Sequence, residues 1–208
     1  MSLKFAMTAM ILAGGKSARM GQDKALLHFG KKTLLEHLIE LVSPFFDETL
    51  VVVNVTAKLE GLRLSQAVVC EDLIKGRGPL AGIYTGLTYS RSEASCVLTC
   101  DMPFIDEDIL LQLVDLWKEK EDPDVICFRD PNEDDQPFPG IYRRGSRTLM
   151  GSLLARGEGS MRKYLQVARV KTQALNGERL RVLENMNTPE DYHRALQGMK
   201  RIGKGAGV

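Results

Sequence analysis

Two residues of opposite charge frame the chemistry this chain could carry: Lys24, which follows a glycine pair, and Asp101, which ends an apolar run. The pair, Gly14 and Gly15, closes the stretch AMTAMILA, and Arg19 lies between it and Lys24. Glycines let backbone N–H groups approach an anion closely. Arg19 offers a planar fork for phosphate oxygens, and Lys24 offers a point charge. Lys16 and Lys31 add positive charge, while Ser17, Ala18 and Gly21 keep the turn bare. Such a loop suits a phosphate group, although it also reads as a glycine-rich turn with solvated basic residues. Asp101 bears on that choice. A carboxylate facing a phosphate-ready loop is how a site holds Mg2+, which takes one or two carboxylates and leaves its other positions to phosphate and water. Asp101-Met102-Pro103 would also serve as a turn initiator.

Other familiar chemistries fit less well. A Walker A loop needs a glycine five positions before Gly15, where Met10 stands, and no G-x-G-x-x-G is present. His28 and His193 have no serine or cysteine partner that suggests a triad. His37 falls within an amphipathic helical pattern and Trp117 on an apolar helix face, so both read as structural. Cys70, Cys96, Cys100 and Cys127 sit in or beside apolar runs without a CxxC, which suggests buried reduced thiols rather than a metal site. Arg162 and Lys163 could touch an acceptor phosphate or form a solvated helix face.

The elements that must position these groups follow from hydrophobic periodicity. AMTAMIL, TLVVVN, AVVC, SCVLTC and DVICF are apolar almost without alternation, as strands covered on both faces should be. Leu34, Leu35, Leu38, Ile39, Leu41, Val42 and Phe45 recur at helical spacing, and Thr33 with Glu36 reads as a capping box. Ile109, Leu110, Leu113, Val114, Leu116 and Trp117 repeat that pattern after three acids suited to a helix N-terminus. Alternating β and α elements predict a three-layer, Rossmann-like, mostly parallel α/β sheet. PGIYRR reads as a further strand that could run antiparallel, SRTLMGSLLARG and SMRKYLQVA as short helices, and Arg129 to Pro137 as a mobile acidic loop. TPEDYHRAL opens a last helix, with Thr188 as cap and Pro189 at the first helical position. The expected organisation is one domain over residues 1–197 and a flexible tail over 198–208.

In open α/β sheets ligands bind beyond the carboxyl ends of the strands. Gly14 and Gly15 follow the first strand, Asn54 the second, and Glu71 and Asp72 the third, ahead of KGRGPLAG with Gly78. Asp101 follows the fourth, and LRVLENMN delivers Asn185 and Asn187. One rim would therefore collect glycine, asparagine and aspartate.

The composition sets bounds. A chain of 208 residues with 44% hydrophobic and 26% charged residues is ordinary for one globular domain, and it buries about 70% of its unfolded surface without staples. Its 28 basic and 27 acidic residues, net +1, argue against a nucleic-acid or membrane-surface binder. No signal peptide or membrane span is evident, which leads to the expectation of a cytoplasmic protein.

LAGGKSARMGQDKALL, VVVN, EDLIKGRGPLAG, CDMPFI and NMNTPED, in that order, resemble the molybdenum cofactor guanylyltransferases over Leu12 to Asp191. The resemblance implies an α/β fold of the nucleotide-diphospho-sugar transferase type. It implies transfer of GMP from GTP to molybdopterin or its molybdenum-loaded form, with Mg2+ as cofactor and pyrophosphate as product. Residues matching Leu12, Ala13, Gly14, Gly15 and Lys24 would bind GTP, as would those matching Asn54, Asp72, Gly78 and Asp101. Asp101 would also hold the metal, Asn187 would lie near the metal or the acceptor, and Arg19, Lys24 and Asp101 would be the catalytic set. The Gly pair resembles the guanylyl-transferring branch; the cytidylyl-transferring branch usually has Ala-Gly. Gln136, where some members carry His, and the loosely matching GEGSMRKYL are departures on the acceptor side. Contacts with other proteins of that cofactor's biosynthesis, or with the enzymes that receive it, would fit the role; oligomeric state stays open. CTP or a sugar 1-phosphate as substrate, and a carrier that binds without turnover, stand as alternatives.

Overall fold

The computed structural model describes residues 4–14, 24–119 and 121–205 and, of residue 58 and residues 199–205, the backbone alone. The elements run β1 (Phe5–Leu12), β2 (His28–Phe29), β3 (Lys32–Thr33), α1 (Leu34–Val42), β4 (Phe46–Val53), β5 (Val68–Glu71), α2 (Pro79–Tyr89) and β6 (Ala94–Thr99). They continue as α3 (Glu107–Lys118), β7 (Val125–Arg129), β8 (Asp135–Arg143), α4 (Arg147–Ala155), α5 (Met161–Val167), β9 (Val170–Ala174) and α6 (Pro189–Gly205). The seven-stranded sheet has the order β5-β4-β1-β6-β8-β7-β9. All its neighbours pair in parallel except β8, which is antiparallel to both β6 and β7. This is the mostly parallel, three-layer α/β architecture predicted from the alternation of elements.

Burial on both faces explains the unbroken apolar strands. Along β1, Ala9 and Ile11 join the layer that holds α1, α3 and α6, whereas Met10 and Leu12 join the layer of α2, α4 and α5. Successive side chains of a strand point to opposite faces, so nearly every position of a doubly covered strand is apolar. Each such Leu or Ile contributes about 1.5–3 kcal/mol on leaving water. The helix α2 lies close against β1 because Gly82 and Gly86 face Leu12 and Met10. The capping box of α1 forms as predicted: Glu36 N–H donates to Thr33 Oγ1 (3.2 Å) and Thr33 N–H to Glu36 Oε2 (2.8 Å).

Four details differ from the sequence reading. Asp135 to Pro137 belong to β8 rather than to a loop, because Asp130 Oδ1 accepts from the N–H groups of Asn132 (2.8 Å) and Asp134 (3.1 Å) and closes the turn early. The segment LRVLENMN is not a strand end: residues Gly177–Leu183 form a 3-10 helix. Phe45 lies beyond α1, which ends at Val42. Finally, α6 runs to Gly205, through the start of the expected tail. Gly198 lies against Phe104 and Arg181, so it is a close-packing position of the helix rather than its end. Among the described residues no helix is long and apolar enough to cross a membrane.

Candidate active site

The chain lays β4 and β5 on one side of β1 and then returns to place β6 on the other. Ligands bind at such a switch, outside the carboxyl ends of the strands. A cavity of about 510 Å³ occupies this place, lined by residues that follow β1, β4, β5 and β6: Gly14, Asn54, Asp72 and Asp101. Backbone hydrogen bonds extend the ladders past the strands and fix the rim: Ala13 N–H to Val52 O (2.8 Å), Asp72 N–H to Val53 O (2.7 Å), and Cys100 N–H to Leu12 O (3.0 Å). Gly14 lies beside Asn54, within ordinary contact of where a Cβ would stand.

The amino end of α2 opens on the same cavity through Gly76, Gly78 and Pro79. Gly78 has φ of +73°, which only glycine adopts without strain, and Pro79 starts the helix with its φ already set. Among the described residues no side chain caps this end, and the helix dipole sets partial positive charge beside the cavity, an arrangement that favours an anion.

At the opposite wall, the ammonium of Lys24 donates to Asp101 Oδ2 (3.1 Å) and to Asn187 Oδ1 (2.7 Å). Thr99 Oγ1 donates to Asp101 Oδ1 (2.6 Å), and Met186 N–H donates to the Asp101 carbonyl (2.8 Å). Three separate parts of the chain therefore meet at Asp101. The side chains of Lys24 and Asp101 are only 15% and 23% exposed, so their attraction is weakly screened and their geometry well held. A cation held by one carboxylate and one amide oxygen marks this as a place that stabilises positive charge. That donor set fits Mg2+, which needs few protein oxygens when phosphate and water supply the rest. Among the described residues no group of three or more His, Cys, Asp or Glu forms an all-protein metal cage.

Of the residues singled out from the sequence, Leu12, Ala13, Gly14, Lys24, Asn54, Asp72, Gly78 and Asp101 all line the cavity, and Asn187 reaches its edge through Lys24. Gly15 and Arg19, with Lys16, Ser17, Ala18 and Gly21, lie outside the described residues. Asp72 is buried, and its Oδ1 accepts from Thr85 Oγ1 (2.8 Å) and Ile74 N–H (3.1 Å), so it shapes the loop before α2 as well as the cavity. Glu71 turns away to Thr56 and Lys75, and Lys31 is exposed on the β2–β3 turn. Asn185 lines a different depression with Pro103, Phe104 and Arg194. The thiols of Cys96 and Cys127 are pushed up to about 12 by burial, and that of Cys70 to about 11 by burial and nearby Asp72. They are inert core groups. His37 packs on Phe29 at 5.6 Å between ring centres, and burial lowers its pKa, so it is a neutral structural side chain. Thr85 and Thr99 were not foreseen. For Thr99 a signal existed, a hydroxyl two residues before Asp101; Thr85, on α2, carried none.

The sequence matches the family described as MobA-like NTP transferase domain over residues 9–175. The chain belongs to this family. A probable molybdenum cofactor guanylyltransferase of Carboxydothermus hydrogenoformans is 36% identical over 199 residues, covering 92% of this chain and 95% of the relative. The molybdenum cofactor guanylyltransferase of Yersinia pseudotuberculosis is 30% identical over 200 residues, covering 95% and 97%. The crystal structure of molybdopterin-guanine dinucleotide biosynthesis protein A from Archaeoglobus fulgidus superposes with a TM-score of 0.79 at 25% identity, covering 94% of this chain and all of that one. This MobA-like chain is therefore a nucleotidyltransferase of molybdenum cofactor biosynthesis.

Proposed function

We propose that this enzyme transfers GMP from GTP to molybdopterin, or to its molybdenum-loaded form, in a magnesium-dependent reaction. The observation that carries the reading is the Lys24–Asp101 pair at the wall of a cavity built from four strand ends and one helix N-terminus. The triphosphate would lie between the α2 amino end and Lys24. A phosphate oxygen of the acceptor attacks the α-phosphorus of GTP, the bond to the β-phosphate bridging oxygen breaks, and pyrophosphate leaves with that electron pair.

The main barrier is repulsion. Two unit charges at ~4 Å repel by about 4 kcal/mol at an effective dielectric of 20, and several such pairs meet here. Lys24 offsets charge on the departing pyrophosphate, and Arg19 is assigned the same task. Asp101, oriented by Thr99, would hold Mg2+, which when bound offsets charge on the phosphate oxygens. A phosphate nucleophile is already ionised, so the chain needs no general base: positioning and charge neutralisation carry the rate. Guanine is favoured by the glycine pair of the sequence, since backbone at Gly14, which carries no side chain, can approach a purine edge.

Pyrophosphate release measured with GTP, CTP, ATP and UTP, with and without molybdopterin and Mg2+, tests this. Release should require GTP, molybdopterin and Mg2+ together, and Asp101→Ala should lower it by about 100-fold or more. Turnover with CTP alone would overturn the guanine assignment; near-normal turnover by Asp101→Ala would overturn the metal role.

A further inference from the structure

The contacts that hold Asn187, and through it Lys24, come from the first turn of α6, far along the chain from the glycine loop. Asp191 Oδ2 accepts from the backbone N–H groups of Asn187 and Thr188, both at 2.9 Å. Thr188 Oγ1 in turn accepts from Asp191 N–H (3.2 Å), and Arg194 pairs with the other carboxylate oxygen. This closed set fixes the backbone that presents Asn187 Oδ1 to the Lys24 ammonium. One residue further on, the Tyr192 hydroxyl donates to the His28 carbonyl at 2.6 Å, bracing the segment that follows Lys24. The Met186 N–H bond to the Asp101 carbonyl (2.8 Å) pins the same stretch to the end of β6.

We infer that Asp191 and Tyr192 are positioning residues of the transfer reaction: Asp191 sets Asn187, and Tyr192 sets the strand of chain that carries Lys24. The inference rests on the reading of Lys24 and Asp101 as the transfer site. Neither side chain contacts the 510 Å³ cavity, so neither would touch the nucleotide. Both act on neighbours of Lys24, which does line it: Asp191 on Asn187, which accepts from Lys24, and Tyr192 on the backbone at His28. A helix cap serving stability alone could sit at any exposed N-terminus; this one has its two bonded N–H groups on the residue that meets Lys24 and on its neighbour. The geometry needed is narrow, because misplacing a catalytic group by about 1 Å costs on the order of 100-fold in rate.

The test is a double-mutant cycle in the full chain, run with whichever triphosphate the parent enzyme uses. A wrong nucleotide assignment therefore changes the substrate and leaves the cycle readable. Asn187→Ala should lower kcat by about 100-fold and Asp191→Ala by about tenfold or more. The double variant Asn187→Ala with Asp191→Ala should be no worse than Asn187→Ala to within about threefold, since Asp191 works through Asn187. Asp191→Asn keeps an acceptor oxygen and should recover most of kcat. Tyr192→Phe removes only the hydroxyl and should raise KM for the triphosphate about threefold or more with little change in melting temperature. Multiplying losses in the cycle, or an Asp191→Ala variant that loses melting temperature but not kcat, would overturn the role of Asp191. An unchanged KM in Tyr192→Phe would overturn that of Tyr192.

Discussion

At the residue scale, the Asp101 carboxylate meets both Thr99 and Lys24, and the Lys24 ammonium meets both Asp101 and Asn187. Asp101 uses one oxygen for Thr99 and the other for Lys24, so the carboxylate is oriented before any substrate arrives. Orientation of this kind removes reorganisation from the reaction step. Asp191 shows how such order is kept. Hydrogen bonds from the Asn187 and Thr188 backbone, together with Thr188 Oγ1 and Arg194, hold its pKa down to about 2, the Asn187 bond being the largest influence. A folded-state pKa below the ordinary carboxylate value means stability that is fully present above about pH 4 and lost as pH falls through about 2. Wild type should therefore melt higher than Asp191→Asn at neutral pH, and the gap should shrink between about pH 4 and pH 2. Paired thermal scans across that range check it. A gap that stays constant down to pH 2 would show that the carboxylate charge contributes nothing to the turn.

At the element scale, the site depends on loops being held against one another. The segment before α5 packs on the segment before α2: a Cβ on Gly159 would run into the Arg77 carbonyl, and Arg77 Nη1 donates to Gly157 O at 3.2 Å. Backbone, unlike a flexible side-chain tip, cannot swing aside. Gly159→Ala should therefore cost about 1–3 kcal/mol and displace Gly78 at the helix N-terminus. Chemical denaturation reads the stability, and a raised KM for the triphosphate reads the displacement. Unchanged values in both would show that the two segments are not coupled. The same scale explains what could be read in advance. β1, β4, β6 and β7 were legible because burial on both faces leaves an unbroken apolar run; β5, an edge strand with Val68 exposed, was legible from its apolar residues alone. β9, reading VKTQA, was not, because it is a half-exposed edge strand without that signature. The β2–β3 hairpin has two residues per strand and offers no period to detect. Asn54, Asp72 and Asp101 were legible from the rule that ligands gather at strand ends. Thr85 and Tyr192 were hidden because their roles arise from contacts made across the fold, Tyr192 reaching His28 from 164 residues away.

At the scale of the whole molecule, the cavity joins parts of the chain that no single element links: the end of β1, the α2 amino end, the end of β6 and the segment before α6. A ligand that touches all of them binds the folded state and finds no comparable site on the unfolded chain. Mass action then adds stability of about 2.7 kcal/mol at a free ligand concentration of 100 times Kd. For a domain of this size each kcal/mol raises the melting temperature by about 2–4 °C, so saturating GTP with Mg2+ should raise it by about 5–10 °C. GTP without Mg2+ should give a smaller rise, because triphosphate charge beside Asp101 is then uncompensated. CTP and UTP should give smaller rises than GTP and ATP if backbone near Gly14 reads a purine edge. Differential scanning of the full chain with each triphosphate, with and without Mg2+, separates these outcomes. Equal shifts for all triphosphates would mean that the cavity grips phosphate alone and that the base is chosen elsewhere.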